Sequence, residues 1–197
     1  MSASAEQIKR LRELTGAGVL DAKRTLEEFN GDFDKALAVL KEKGLKAAEK
    51  KAERVAKQGL IETYAHGGGR IGVVVEVNCE TDFVAATNEF RKLAHDLALQ
   101  IAATKPQYVS MDDIPADIVE AQKKIFADAA LAEGKPANIV ERIVQGKIET
   151  FFKEAVLLRQ SFIRDDKQTI QDLIQSVVAI LGERIVVKRF TRFELGE

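Results

Sequence analysis

"GLIETYAHGGGRIGVVVEVNC", residues 59–79, assigns the chain to a fold class that contains a β-sheet. Two runs rich in β-branched residues flank three consecutive glycines, a pattern typical of a β-hairpin. In the second run, alternate residues from Ile71 to Val77 are apolar and share one face, whereas Glu76 and Asn78 lie on the other. The stretch therefore predicts two antiparallel strands with one buried face.

The end of the chain predicts one more helix and one more strand. Residues 165–183 show helical spacing of apolar residues, with Asp165 or Asp166 as the expected N-cap and Gly182 at the expected end. Residues 184–195, RIVVKRFTRFEL, are rich in β-branched and aromatic residues. We expect this last segment to be the third strand of the hairpin's antiparallel sheet.

The middle of the chain predicts helices. Residues 116–155 form two long helical segments separated by EGKP, where Gly134 can end the first and Pro136 can begin the second. We expect them to fold back as a projecting antiparallel helical hairpin. A further helix, ending before Pro106, is indicated by apolar residues at helical spacing, namely Phe90, Leu93, Leu97 and Ile101.

The chain divides into three predicted regions. Residues 1–45 predict three short helices, because apolar residues recur with helical spacing and the segments TGAG and NGD separate them. Residues 46–58 are rich in alanine and charge and predict an exposed linker helix. Residues 59–197 form a core domain into which the hairpin of residues 116–155 is inserted. The predicted fold class is α+β, with helices packed on a three-stranded antiparallel sheet.

The composition of the chain limits where the protein is expected to be located and which classes of partner it is expected to bind. Its 197 residues carry a formal net charge of -1 and contain no run of roughly 20 apolar residues, so we expect neither a dedicated nucleic-acid binder nor a membrane protein. The start MSASAEQIKRL lacks the apolar centre of a secretory signal, so the expected location is the cytoplasm. Cys79 is the single cysteine, and its place on the Val77 face predicts a small buried hydrophobe.

No residue set typical of a catalytic or metal site is found in the sequence. There is no G-x-x-x-x-G-K-[ST] motif, and HGGGR lacks the following helix that a phosphate site requires. His66 and His95 are not spaced as metal ligands with Cys79. Paired carboxylates such as Asp112 and Asp113 stand where acids cap helices. We therefore expect a protein that acts by binding, not an enzyme, with no cofactor and no metal.

Leu20 breaks the local pattern of the N-terminal helices. If the second helix buries the stripe that begins at Val19, Leu20 falls on the solvent-facing side. Together with Arg12 of the first helix it would form a small apolar and basic patch beside TGAG. A single exposed leucine is ordinary, so the pattern leaves both partner contact and a plain surface position open.

The segment ETDFVAATNEF, residues 80–90, leaves the orientation of Phe83 open. If the following helix ran back to Asp82, Phe83 would lie on its core stripe. If that helix begins at Thr87, which is a good N-cap, residues 81–86 form a projecting turn that can point Phe83 outward. Periodicity alone favours neither arrangement.

Two segments resemble the signatures of a known family. LRELTGAGVLDAKRTL near the start and EVNCETDFVA after the second strand resemble those of translation elongation factor Ts, the guanine-nucleotide exchange factor for elongation factor Tu. The segments YAHGGGRIGVVV, GKPANIVERIVQGK and RFELGE extend the resemblance over essentially the whole chain. Thr25 and Ala86 depart mildly from the usual family pattern, and neither removes an expected contact group.

The resemblance implies a mechanism without bond chemistry. The factor would bind elongation factor Tu with GDP, disturb its magnesium and nucleotide site and promote GDP release. The family's N-terminal domain, similar in shape to ubiquitin-associated domains, docks on the partner's GTPase domain, and the matching residues here are Arg12, Val19 and Leu20. The family's TDFV segment acts as a wedge near the partner's magnesium site, and the matching residues are Thr81, Asp82, Phe83 and Val84. His66 matches a histidine that faces another partner domain.

The length of the chain implies an oligomer. Long family members carry two related core halves, whereas this chain supplies one, so it resembles the short forms whose cores pair as a two-fold homodimer. Residues 184–195 are the candidate pairing edge.

Two rival functions remain open at the level of sequence. One is a helical adaptor that docks a partner without promoting nucleotide exchange. The other is an RNA-binding translation accessory protein that uses the basic residues of the segment 41–57.

Overall fold

The computed structural model describes residues 4–49 and 53–197 and confirms the predicted α+β class. The helices are α1 (Ala5–Thr15), α2 (Val19–Glu28), α3 (Phe33–Glu49), α4 (Asp82–Ala85), α5 (Asn88–Thr104), α6 (Ala116–Ala132), α7 (Ala137–Ala155) and α8 (Ile170–Leu181). The strands are β1 (Gln58–His66), β2 (Ile71–Cys79), β3 (Ser161–Phe162), β4 (Asp165–Thr169) and β5 (Val186–Glu194). Within these ranges, no helix is long and apolar enough to cross a bilayer.

The predicted antiparallel sheet is confirmed, with the strand order β1-β2-β5. The hairpin register runs from Gln58 opposite Cys79 to His66 opposite Ile71. All three glycines of its turn have positive φ, a conformation that residues with a Cβ rarely adopt. β5 pairs with β2 and forms one edge of the sheet. The face of β2 predicted to be apolar is buried, namely Val73, Val75, Val77 and Cys79.

The two faces of this sheet have different surroundings. α5 packs on the buried face and α8 packs on α5, so that their apolar side chains form one cluster with β2. Burying a large apolar side chain contributes about 1.5–3 kcal/mol, which makes this cluster the main source of stability in the core. On the opposite face, which we call the open face, three apolar side chains are largely exposed: Ile61, Val74 and Phe193.

The three N-terminal helices form the predicted small bundle, with its own apolar core of Leu11, Ala22, Leu26, Ala36 and Leu40. This bundle packs against α8 through small residues. A Cβ placed on Gly16 would lie 2.6 Å from the carbonyl oxygen of Ala179, and one placed on Gly44 would lie 3.2 Å from the Ala179 Cβ. Gly16 also has a φ of +68°, so a side chain there is disfavoured by conformation as well as by space.

α6 and α7 form the predicted antiparallel hairpin. Gly134 follows α6 with a positive φ, and Pro136 is the N-cap residue of α7, as the sequence predicted. A separate apolar cluster holds the base of the hairpin, and its buried members are Ile114, Ile148, Phe152 and Val156.

The predicted linker helix over residues 46–58 is helical at its start, but it is not a separate element, and the prediction is wrong for residues 53–57. Residues 46–49 belong to α3, residues 53–57 contain no helix, and residues 50–52 lie outside the described ranges. α3 continues because alanine, lysine and glutamate favour helix, and Lys46 pairs with Glu42 one turn earlier.

The predicted start of α8 at Asp165 or Asp166 is also wrong. Residues 165–169 form β4, and at the start of this strand Asp165 accepts a hydrogen bond from the Lys167 backbone N–H. The N-cap is Thr169, whose hydroxyl accepts from the backbone N–H of Asp172 while the Asp172 carboxylate accepts from that of Thr169. This reciprocal pair is a capping box, and the T-x-x-D spacing in the sequence was a readable signal for it.

Candidate partner-binding surfaces

Two separate helices begin in the segment that follows β2, namely α4 and α5. Thr81 caps α4 by accepting a hydrogen bond from the Val84 N–H, and Thr87 caps α5 by accepting one from the Phe90 N–H. α4 is therefore a single turn set apart from the main helix. This arrangement corresponds to the projecting turn among the two alternatives that the sequence left open.

Phe83 points away from the core. Its exposed fraction is 83%, and Asp82 beside it is also exposed. Thr81 and Val84 are half-buried, and Val84 packs against the main apolar cluster. The segment 81–84, which we call the wedge segment, thus rests on the core through its two ends and presents an aromatic ring and a carboxylate to solvent.

Two glutamates hold the wedge segment to the loop before β5. The Glu183 carboxylate accepts hydrogen bonds from the Glu80 N–H at 3.1 Å, the Thr81 N–H at 3.0 Å and the Thr81 hydroxyl at 2.7 Å. The Glu80 carboxylate accepts in turn from the Arg184 N–H at 2.7 Å. We call this set of bonds the glutamate clasp. It joins residues about a hundred positions apart, and no local pattern in the sequence pointed to it.

Cys79 supports the wedge segment from below. As predicted, its side chain is buried, and its Sγ donates to the Thr81 carbonyl oxygen at 3.1 Å. Burial away from water and the nearby Glu183 carboxylate raise the pKa of the Cys79 thiol above its usual value, because both disfavour the thiolate. Cys79 is thus a neutral structural thiol at neutral pH.

A shallow groove of about 590 Å³ lies between the edge strand β1 and the wedge segment. Asp82 and Arg91 bring opposite charges to its rim. His95 also lines it, and its Nδ1 lies 3.2 Å from a Glu62 carboxylate oxygen. The groove gives the surface beside Phe83 both a recess and polar side chains, which suits a protein partner.

The residues matched to GTPase-domain docking lie on the N-terminal bundle. Leu20 is 76% exposed, as the helical pattern predicted, and Arg12 on α1 is exposed. Val19 was expected on the buried stripe of α2, but it is half exposed, because it is the first residue of the helix and the core begins with Ala22. Arg12, Val19 and Leu20, which we call the docking patch, are all accessible to a partner.

His66 lies at the far end of the β-hairpin from the wedge segment. It is exposed beside the glycine turn, and its Nδ1 is 3.1 Å from the Tyr64 hydroxyl oxygen. Eight residue steps of strand separate it from Gln58, which pairs with Cys79, so the two surfaces are roughly 26 Å apart. The structure therefore keeps the docking patch, the wedge segment and His66 on different elements and does not gather them into one pocket.

The described residues contain no group of three or more histidine, cysteine or acidic side chains arranged to hold a metal ion. The exposed features are an aromatic ring, an apolar patch and a histidine, which are groups that bind protein surfaces.

Comparison with known proteins gives a consistent result. A family model described as "Elongation factor TS" matches residues 3–197. A relative named elongation factor Ts from Carboxydothermus hydrogenoformans is 55% identical over 194 residues, which cover 98% of this chain and 89% of the relative. The protein of the same name from Caldanaerobacter subterraneus subsp. tengcongensis is 56% identical, with 98% and 97% covered. The one from Coprothermobacter proteolyticus is 54% identical over 197 residues, which span both chains in full.

Proposed function

Because the chain belongs to the elongation factor Ts family, we propose that the wedge segment is the surface with which it disturbs its partner's nucleotide site. The chain is a guanine-nucleotide exchange factor for elongation factor Tu, and it acts in translation elongation without being an enzyme. The family resemblance assigns the wedge role to residues 81–84, and within this segment we propose that Phe83 makes the decisive contact.

The observation that carries the proposal is the exposure of Phe83. A phenylalanine that is 83% exposed contributes little to the fold of the free factor. Covered by a partner, the same ring becomes a buried aromatic anchor, and such anchors commonly contribute about 2 kcal/mol or more to an interface. Asp82 stands beside it as a charged group for the same surface, while Thr81 and Val84 hold the turn.

The physical basis of exchange is linkage. If the factor binds the nucleotide-free partner more tightly than the GDP-bound partner, it must weaken GDP binding by the same ratio. Each factor of ten in that ratio requires about 1.4 kcal/mol of contacts made only with the nucleotide-free form. A ring that inserts between partner side chains next to the magnesium site is suited to provide such selective contacts.

The docking patch serves a different purpose in this proposal. Leu20 and Val19 offer apolar contact area and Arg12 offers a cation, so the patch binds the partner's GTPase domain whichever nucleotide state that domain has. Contacts equal in both states raise the affinity without raising the maximal rate of release. His66, at the opposite end of the hairpin, contacts a second partner domain.

We also propose that the factor works as a homodimer in which a second copy covers the open face of the sheet. The short family forms that this chain resembles pair as two-fold homodimers, and the candidate pairing edge, residues 184–195, includes β5 at one side of this face. The open face exposes Ile61, Val74 and Phe193, and it carries an acid and a base, Glu76 and Arg189, whose side chains lie 2.8 Å apart. A two-fold axis that passes beside this pair would bring each acid near the base of the second copy, which would make the face complementary to itself.

Sedimentation at micromolar concentration tests the dimer. We expect twice the monomer mass for the parent chain and the monomer mass for Phe193→Glu, whereas Ile163→Glu, at an exposed apolar position in the β3–β4 turn, stays dimeric. A parent chain that sediments only as a monomer would refute the dimer.

Release of labelled GDP from elongation factor Tu tests the function as a whole. We expect release to accelerate with added factor and to saturate. A factor that binds elongation factor Tu without accelerating release would be an adaptor, and steeply salt-dependent binding to RNA would indicate an accessory RNA-binding protein. We propose a cytoplasmic location, where translation supplies its partner.

A further inference from the structure

We propose that Glu183 is the positioning residue that holds the wedge segment in the orientation needed for exchange, an inference that rests on the proposed role of Phe83. Glu183 lies a hundred residues from Phe83 in sequence and makes no contact with a partner in this proposal. Its carboxylate instead accepts three hydrogen bonds from Glu80 and Thr81, the two residues that lead into α4.

The clasp continues the pairing of β2 with β5 beyond the end of the ladder. The last backbone pair at this end is Asn78 with Val186. Further out, the Glu183 side chain accepts from the N–H groups of Glu80 and Thr81, and the Glu80 side chain accepts from the Arg184 N–H. Each segment thus binds the other's backbone through a carboxylate. Hydrogen bonds to an ionised acceptor are roughly twice as strong as those between neutral groups, so these carboxylate bonds hold the two segments together strongly beyond the end of the β2–β5 ladder.

α4 needs such support because it is only four residues long. A single helical turn fixes several backbone dihedrals for few hydrogen bonds and is not stable alone. Thr81 supplies its cap, and the Thr81 hydroxyl proton is directed to Glu183 at 2.7 Å. The lone pairs of the same oxygen are then free to accept from the Val84 N–H at 3.3 Å. Glu183 therefore orients the cap that closes the turn carrying Phe83.

The remaining polar groups of Thr81 are also engaged. Its carbonyl oxygen accepts from Cys79 Sγ at 3.1 Å and from the Ala85 N–H at 3.3 Å. Glu183 holds the N–H and hydroxyl of Thr81, and Cys79 and Ala85 hold its carbonyl. Of these partners, Glu183 belongs to the distant loop before β5, so it is the group that ties the start of α4 to that loop.

The consequence for exchange follows from preorganisation. With the glutamate clasp intact, the Phe83 ring already has the orientation needed to contact the partner's nucleotide site when the factor docks. Without it, α4 samples other conformations, and only a fraction of docked complexes have the ring in place, so the maximal rate falls to that fraction of the parent rate. The docking patch lies on other helices, so the concentration of factor that gives half-maximal release changes little.

The test compares Glu183→Ala, Glu183→Gln and Phe83→Ala in full-length factor, with Glu141→Ala, at an exposed glutamate on α7, as the matched control. GDP release is measured over a range of factor concentrations to separate the maximal rate from the half-saturating concentration. We expect Glu183→Ala to lower the maximal rate at least tenfold with little change in half-saturation. Glu183→Gln retains one oxygen acceptor and is expected to lie between Glu183→Ala and the parent.

A double variant distinguishes positioning from an independent role. If Glu183 acts only through Phe83, Glu183→Ala combined with Phe83→Ala releases GDP no more slowly than Phe83→Ala alone. If the two effects multiply, Glu183 acts elsewhere and the inference is overturned. Amide hydrogen exchange at Thr81 and Val84 provides a readout without the partner: it should accelerate in Glu183→Ala, and unchanged protection would also overturn the inference.

Failure of the inference is distinguishable from failure of the proposed wedge. A slow Phe83→Ala with a parent-like Glu183→Ala would refute positioning and leave the wedge standing. A parent-like Phe83→Ala would refute the wedge, and with it the reason for positioning.

Discussion

Truncation of Phe83 to alanine is the most direct test of the exchange mechanism, because it should affect exchange without affecting the fold. The side chain is 83% exposed in the free factor, so its removal deletes few internal contacts. Surface substitutions of this kind change the free energy of unfolding by no more than about 0.5 kcal/mol. The melting temperature of Phe83→Ala should therefore stay close to that of the parent chain.

The expected loss of exchange follows from the area that the ring offers to a partner. A phenylalanine buries about 150–250 Å² when covered, and the exposed fraction leaves about 150 Å² of this available. At about 25 cal/mol per Å², the upper limit is about 4 kcal/mol. Association recovers only part of such an area term, so at least about 2 kcal/mol is expected. That corresponds to GDP release slowed at least about 30-fold.

Two measurements on the same preparations decide whether Phe83 acts in exchange or belongs to the core. Labelled GDP release from elongation factor Tu is followed by rapid mixing, and the melting of the factor is followed by circular dichroism. Ile163→Ala, also at an exposed apolar position, is the control and should match the parent in both. A collapse of melting in Phe83→Ala would identify the ring as part of the core, and unchanged release would remove its role as a wedge.

Three further predictions concern other parts of the molecule. Leu20→Asp places a charge in the docking patch and should weaken the binding of elongation factor Tu, measured by calorimetry, at least about tenfold, while the melting temperature of the factor stays unchanged. An affinity equal to that of the parent chain would show that the patch is not part of the interface. Gly44→Leu should push the N-terminal bundle away from Ala179 and slow exchange, whereas Gly146→Leu, where a Cβ would meet nothing within 4 Å, should leave the exchange rate unchanged. Equal rates in the two variants would show that exchange does not depend on the packing of the bundle against α8. Glu194 has its pKa lowered from 4.5 to about 2, chiefly by its hydrogen bond from Lys105, so it stabilises the fold above pH 4.5 and loses this effect as pH falls toward 2. Glu194→Gln should lower the melting temperature at neutral pH, and the difference should narrow below pH 4.5; a gap independent of pH would contradict the assignment.

The sequence predicted the sheet because its signals were local. Alternation in residues 71–79 and three glycines before them determine a hairpin almost without reference to the rest of the chain. The exposure of Leu20 followed in the same way from the spacing of its own helix. These predictions depend on neighbours within a few residues, which periodicity captures.

The sequence left the orientation of Phe83 open because that orientation depends on distant partners. Phe83 has the right period for the core stripe, and its outward direction is decided by the two caps and by Glu183 at the other end of the chain. The linker prediction failed because composition indicates helix without marking where a helix ends. The start of α8 was misplaced because residues 165–169 form β4, so that Thr169 and not Asp165 provides the cap.

In the proposed complex, the N-terminal bundle and the wedge segment would be two binding sites joined through the contact of the bundle with α8. A Cβ on Gly16 would lie 2.6 Å from the Ala179 carbonyl oxygen, so the bundle that carries the docking patch is in close contact with α8 of the core. When two contacts are joined rigidly at the correct span, engagement of the first gives the second a high effective concentration. When the span is wrong, that advantage is lost entirely. If both proposed sites contact the same partner, the contact at Gly16 would help to set the distance between them, and with it the partners on which both can be reached together.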